Sequence, residues 1–280
     1  MIVRIAALAA LLALMSGLWG TAGAAGHGAA RRVISLIPSL TEDLFAVGAG
    51  DRVVGRSEYS DYPPQARRLP VVASFASIDA ERIVALHPDL VVAIPSQQGL
   101  AGDLVRTGIP VAFFRDDSLD DVYADLHGIG ALVGRTRQAD ALVARLRTRT
   151  RELTAMRPRR ARRPSVFVVL GTAPIFTVGR GSYIDSLLEL AGARNAAADV
   201  RAPYARYSAE ALVARQPDAL IVDPDVHLND VAGAAPWSAL RAVRRHHVYV
   251  LPDAAILERP GPRYNEGLAW LIATLRAVPV

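Results

Sequence analysis

Ala80-Glu81-Arg82-Ile83-Val84-Ala85-Leu86-His87-Pro88-Asp89 and Ala209-Glu210-Ala211-Leu212-Val213-Ala214-Arg215-Gln216-Pro217-Asp218 are two copies of one phrase. Ala, Glu, Val, Ala, Pro and Asp recur in register, 129 positions apart (Glu81 to Glu210). Each copy leads into an apolar, β-branched run, Leu90 to Ile94 and Ala219 to Val222, of the kind that forms a buried parallel strand. The phrase therefore spells a short helix, a proline stop and a strand. A second pair agrees: Leu44-Phe45-Ala46-Val47-Gly48-Ala49 and Leu188-Glu189-Leu190-Ala191-Gly192-Ala193 are both apolar helix ends closed by glycine, 144 positions apart (Gly48 to Gly192). Unequal offsets fit two diverged lobes with different loops, whereas a solenoid would repeat at a short constant period.

Working outward, strand candidates Val33 to Ile37, Val53 to Gly55, Leu90 to Ile94 and Val111 to Phe114 alternate with helical patterns in the first half. Val166 to Leu170, Ala219 to Val222 and Val248 to Leu251 do the same in the second. The expectation is an α/β protein of two Rossmann-like lobes, each a parallel sheet flanked by helices, with a ligand cleft between them. From Gln138 to Met156 no glycine or proline intervenes, and Ala141, Leu142, Ala144, Leu146 and Leu153 fall at mostly helical spacing. That segment reads as one long interlobe helix, bounded by the arginine-rich joint around Pro158 and Pro164. The chain thus divides into an export segment at 1–24, an N-terminal lobe at 25–137, the interlobe helix at 138–158 and a C-terminal lobe at 159–280.

Composition narrows the chemistry. Of 280 residues 51% are hydrophobic and 21% charged, which suits a globular protein rather than a disordered one or a bundle of membrane spans. Cysteine is absent, so disulfides, thiolate ligands, cysteine nucleophiles and a lipidated N-terminal cysteine all drop out. The net charge of +5 comes from arginines scattered along the chain, apart from the run Arg157, Arg159, Arg160, Arg162 and Arg163, which reads as a solvated joint and not as a nucleic-acid surface. Arg4, the apolar run Ile5 to Met15 and the small residues Ala22-Gly23-Ala24 have the layout of a cleavable secretory signal; with no cysteine to carry a lipid anchor, the expectation is a free periplasmic protein, and a monomer.

No catalytic signature is present. There is no lysine for a Walker loop, no G-x-S-x-G elbow and no H-E-x-x-H helix. His246 and His247 are adjacent before a strand, where neighbours point to opposite faces, and His87, His127 and His227 stand singly at helix ends or in loops, so no metal site is expected. The loops beyond strand ends are more informative: Arg56 to Pro64, Ala73 to Ser77, Gly171 to Phe176 and Ala202 to Tyr207. Aromatic residues make up only 6% of the chain, yet Tyr59, Phe75, Phe176, Tyr204 and Tyr207 all fall in these loops, where open parallel sheets bind ligands. Glu81 and Glu210 each occupy the first turn of a repeated helix. The helix dipole stabilises both, and as a matched pair they suit a two-fold partner carrying arginines.

These residues resemble the periplasmic binding proteins of bacterial importers for cobalamin, iron-siderophores and haem, and most closely the cobalamin-binding branch. The resemblance spans nearly the whole chain after the signal. It is carried by Arg32-Val33-Ile34-Ser35-Leu36 with Pro38 and Thr41-Glu42, by Tyr59-Ser60-Asp61-Tyr62-Pro63-Pro64-Gln65-Ala66 and by the Glu81 phrase. In the second half Pro174 with Phe176-Thr177, Ser208 with Glu210, and Glu258-Arg259 with Pro262-Arg263 carry it. It implies rigid lobes, a corrinoid cleft lined by Tyr59, Phe75, Phe176 and Tyr204 with Arg259 from the second lobe, and docking of Glu81 and Glu210 on the permease of an ATP-driven importer. The protein would then be a carrier and not an enzyme, with no cofactor of its own. The cobalamin-binding branch is tryptophan-rich where this chain has Phe75, Tyr204 and Ile94-Pro95, which keeps haem and ferric siderophores open as ligands, with Tyr59, Tyr204 or Tyr207 as an iron ligand. An exported metal-dependent hydrolase using Asp61, Asp223 or Asp225 is the reading from another class; those acids are dispersed in sequence, and Asp223-Pro224-Asp225 has the composition of a turn.

Overall fold

The computed structural model describes residues 28–74 and 76–279; the segment at 1–24, expected to be an export signal, lies outside the described residues. The first lobe comprises β1 (Val33–Ser35), α1 (Pro38–Ala46), β2 (Val53–Ser57), β3 (Val71–Ala73), α2 (Ala80–Ala85), β4 (Leu90–Ala93), α3 (Gly102–Val105), β5 (Val111–Phe113) and α4 (Leu119–Leu132). Its sheet is parallel throughout, in the order β3-β2-β1-β4-β5. After α5 (Thr136–Ala155) the second lobe runs β6 (Ser165–Val169), β7 (Gly171–Thr172), β8 (Ile175–Val178), α6 (Tyr183–Leu190), β9 (Arg194–Asn195), β10 (Tyr204–Arg206) and α7 (Ala209–Arg215). It ends with β11 (Ala219–Val222), α8 (Arg241–Arg244), β12 (Val248–Val250), α9 (Ala255–Glu258) and α10 (Tyr264–Leu275). Here the parallel sheet is β12-β11-β6-β9, and β10-β8-β7 form a separate antiparallel ribbon.

The repeated phrase folds the same way twice, as α2 into β4 and α7 into β11. His87 and Gln216, equivalent in the repeat though different in identity, both take the left-handed backbone, with φ of 47° and 45°. The recurring aspartate also has one task in both lobes. Asp89 accepts the N–H groups of Arg31 (2.8 Å) and Arg32 (3.0 Å) at the head of β1. Asp218 accepts Ser165 N–H (2.7 Å) at the head of β6 and pairs with Arg162 at 2.9 Å. The proline stops the helix, and the aspartate pins the neighbouring strand. Gly48 (φ 79°) and Gly192 (φ 87°) close α1 and α6 in the left-handed region, as their positions after apolar helix ends predict.

Strands β1, β4, β6 and β11 are buried along their whole length, which is why they read as unbroken apolar runs. The outer face of each sheet has its own core, around Ile34, Val91 and Ile83 in the first lobe and around Phe167, Leu220 and Leu212 in the second. The inner faces join in one apolar cluster that includes Leu126, Leu146, Leu187 and Leu268 of the intervening helices. Helix α5 begins two residues before the expected segment and ends at Ala155. Its buried stripe is Ala139, Leu142, Val143, Leu146, Thr150 and Leu153, so Ala141 and Ala144 face solvent, contrary to expectation. Alanine is small enough for either face, and the larger residues set the stripe. Along this stripe the Thr150 hydroxyl lies 2.6 Å from that of Tyr264, which lies 2.8 Å from that of Tyr123, so a buried hydroxyl chain links α4, α5 and α10.

Candidate functional site

In both sheets the strand order reverses at one place, between β1 and β4 in the first lobe and between β6 and β11 in the second. Crevices for ligands form beyond the carboxyl ends of strands at such points. A recess of ≈ 270 Å³ lies there in the first lobe, between Leu36 to Pro38 after β1 and Ile94 to Gln97 after β4, with Tyr59 on its rim. Gln97 stitches the two lips: its amide donates to Leu36 O at 2.8 Å, and its carbonyl accepts Ile94 N–H at 3.2 Å. In the second lobe a recess of ≈ 560 Å³ lies between Leu170 to Pro174 after β6 and Asp225 to Val231 beyond β11, with Phe176 in its wall. His227, a lone histidine in its stretch of sequence, also lines this recess.

Tyr59 is 62% exposed. Its loop is held from beneath by buried hydroxyls: Ser60 lies 2.7 Å from Ser57 and 2.9 Å from Thr41, and Thr41 lies 2.8 Å from Ser35. Phe176 and Tyr204 come from the antiparallel ribbon, in which Arg206 pairs with Phe176 and Tyr204 with Val178. Tyr204, though 41% exposed, has its phenol pushed up to about 12, first by loss of water and then by Asp116, Glu258 and Asp117. Asp116 and Asp117 follow β5 of the first lobe, so Tyr204 faces acids across the gap. Tyr207 is turned the other way. Its ring packs on Phe167 (centroids 5.2 Å) and its hydroxyl donates to Asp199, which takes it out of the cleft. Phe75 lies outside the described residues.

Arg259 crosses between the lobes. One guanidinium nitrogen lies 2.8 Å from Asp61 Oδ1 and 3.2 Å from Glu42 Oε1. Arg263 grips the same glutamate, Nε to Oε2 at 2.9 Å and Nη2 to Oε1 at 3.1 Å, and its guanidinium lies 4.0 Å from the Tyr62 ring centroid. Burial raises the Asp61 carboxyl, but the hydrogen bond and charge of Arg259 outweigh it and hold the group below its ordinary range. Asp61, a candidate for hydrolytic chemistry by sequence, is thus tied to an arginine. Asp223 accepts Asp225 N–H at 2.6 Å, an Asx turn after β11.

Glu81 and Glu210 are both exposed in the first turns of α2 and α7. Each helix runs back to feed a parallel strand, so its N-terminus lies at the carboxyl edge of its sheet, on the cleft side. Asp79 caps α2 by accepting Arg82 N–H at 2.9 Å, and Ser208 caps α7 by accepting Ala211 N–H at 3.1 Å. Ser208 also donates its hydroxyl to Glu210 (2.6 Å), which lowers that carboxyl.

Comparison with known proteins agrees with this geometry. The family model described as "Periplasmic binding protein" matches residues 33–255. An uncharacterised ABC transporter substrate-binding lipoprotein of Bacillus subtilis is 30% identical over 253 residues, covering 88% of this chain and 80% of its own. The vitamin B12-binding protein of Yersinia pestis is 36% identical over 198 residues, 69% of this chain and 70% of its own. Among solved structures, the periplasmic haem-binding protein of Roseiflexus sp. RS-1 superposes with a TM-score of 0.77 at 28% identity, covering 89% of this chain and 98% of that one. The match extends over both sheets and the helix between them, and the chain belongs to the periplasmic binding protein family, as a substrate-binding protein of the ABC importer class.

Proposed function

We propose that the protein is exported to the periplasm, where it captures a corrinoid between its lobes and delivers it to the permease of an ABC importer. The observation that carries this reading is the pair of recesses at the two switch points, edged by the ring of Tyr59 in one lobe and that of Phe176 in the other, with the exposed Tyr204 on the same ribbon as Phe176. A flat macrocycle has two faces to cover, and aromatic rings cover them without needing hydrogen bonds. The likeness to a vitamin B12-binding protein supports the corrinoid as the macrocycle. Titration calorimetry with cyanocobalamin and aquocobalamin tests it. Micromolar or tighter binding, weakened by Phe176→Ala, is expected; no binding in that range overturns the cobalamin assignment.

Haem is the second reading, favoured by the likeness to a haem-binding protein and by the exposed phenol of Tyr59, which is free to approach an iron. A Soret shift on adding haemin that disappears in Tyr59→Phe supports it, and an unshifted Soret band rejects it. Ferric siderophores belong in the same screen.

A further inference from the structure

The chain contains no lysine, so apart from histidine every cationic side chain near the cleft is an arginine, and their positions decide which ligand charges the cleft accepts. Arg259, the cation that the family resemblance implies for the ligand, is bound to Glu42 and Asp61. Arg115, at the mouth after β5, is held by Asp117 at 3.3 Å and Asp121 at 3.8 Å. Arg56 donates to the carbonyls of Ser57 and Glu58, the residues beneath Tyr59. Among the described residues no arginine lines either recess. Arg206, opposite Phe176 on the ribbon, is one cation against Glu58, which lines the first recess, and Asp225 and Asp230, which line the second.

Glu258 already reports what a further carboxylate would meet. Its Oε1 is buried without a hydrogen-bond partner. Burial first, and then Asp223 and Asp225, push its carboxyl up to about 9. A ligand carboxylate brought between the lobes meets the same lost water and the same negative neighbours, and a buried carboxylate is tolerated only with a paired cation or several N–H donors. An amide or a hydroxyl brings no charge to be stripped of water, and a cation finds in the same carboxylates the partners that offset its lost water.

We infer that the cleft selects by charge: it accepts neutral or cationic macrocycles and rejects those bearing carboxylates. This rests on the reading of the cleft as a macrocycle site and adds a rule about its ligand. Calorimetric titration of the chain at low and high salt tests it with two matched pairs. One is cobinamide against cobyrinic acid, in which the side-chain amides are carboxylates; the other is an iron porphyrin with ammonium arms against haemin with its propionates. The member without carboxylates is expected to bind about tenfold tighter or more in each pair that binds, the ratio shrinking at high salt. In Asp116→Asn combined with Asp225→Asn that ratio should fall about threefold. A carboxylate-bearing member that binds equally well or better overturns the charge rule while leaving the macrocycle site standing. Binding by the porphyrins alone removes the corrinoid assignment and leaves the porphyrin pair to decide the rule. Binding by none of the four overturns both.

Discussion

A left-handed backbone costs an ordinary residue roughly 1 kcal/mol or more, yet His87 and Gln216 both adopt it at the same turn of the repeat. Gln216 has a compensation: its amide donates to Ala239 O at 3.1 Å and its carbonyl accepts Arg241 N–H at 2.8 Å, tying the turn to α8. Among the described residues His87 has only its backbone in use, its carbonyl accepting Arg32 Nε at 3.0 Å. His87→Gly should therefore stabilise the protein by about 0.5 kcal/mol, the conformational relief exceeding the entropy that glycine adds to the unfolded chain. Gln216→Gly should not, because it loses the two side-chain bonds. Urea midpoints of the two variants check this, and a destabilised His87→Gly would mean that the imidazole does something the turn depends on. At this scale the sequence was only partly legible. The repeat showed where the turn falls, through Pro88 and Pro217, but not its conformation, since neither histidine nor glutamine marks a positive φ. The partners of Arg259 were equally hidden, because Glu42 lies 217 residues away and nothing local ties the two together.

Among the elements, α2 and α7 show why a repeated shape and an exposed charge need separate explanations. Their caps, Asp79 and Ser208, and their anchors, Ile83 and Leu212, account for two short helices standing where they do. Neither requires a glutamate in the first turn: Glu81 is exposed, and Glu210 touches only its own cap. Water screens an exposed carboxylate at a helix start, so the helix dipole alone leaves the recurrence of both glutamates unexplained. Their placement on the cleft side of both lobes suits contact with a partner that spans the cleft. The double variant Glu81→Arg with Glu210→Arg should keep its ligand affinity and thermal midpoint within error and lose ligand uptake in reconstituted vesicles. Unchanged uptake would show that the pair plays no part in docking. The buried strands were legible because parallel strands covered on both faces are apolar at every position. The ribbon carrying Phe176 and Tyr204 was not. Its strands are two to four residues long, one pairs through Tyr-Ala-Arg, and such short alternation looks like any loop. Its aromatic residues could be assigned to the cleft, but Tyr207, one residue beyond β10, turns back onto its own lobe.

For the molecule as a whole, the ties between the lobes among the described residues include α5 with the apolar cluster around it, the hydroxyl chain through Tyr264, and Glu42 gripped between Arg259 and Arg263. The last is the tie that spans the cleft itself. The Glu42 side chain is 2% exposed, against 20% for Arg259 and 12% for Arg263. A buried carboxylate with two guanidinium partners adds little net stability over an apolar filling of the same shape, but removing one partner leaves the others uncompensated. Glu42→Ala should accordingly cost about 3 kcal/mol, at the low end of the range for broken buried pairs, because Arg259 keeps Asp61 and both arginines retain some water. Glu42→Gln preserves the volume and part of the hydrogen bonding, and should cost less. If the tie sets the spacing of the lobes, the two variants differ in a second respect as well. Glu42→Ala should increase the radius of gyration measured by small-angle scattering and hasten ligand release, whereas Glu42→Gln should stay near the parent in scattering. A loss of stability without any change in scattering or release would make Glu42 a packing residue of α1 and leave the cleft spacing to α5, the apolar cluster around it and the hydroxyl chain.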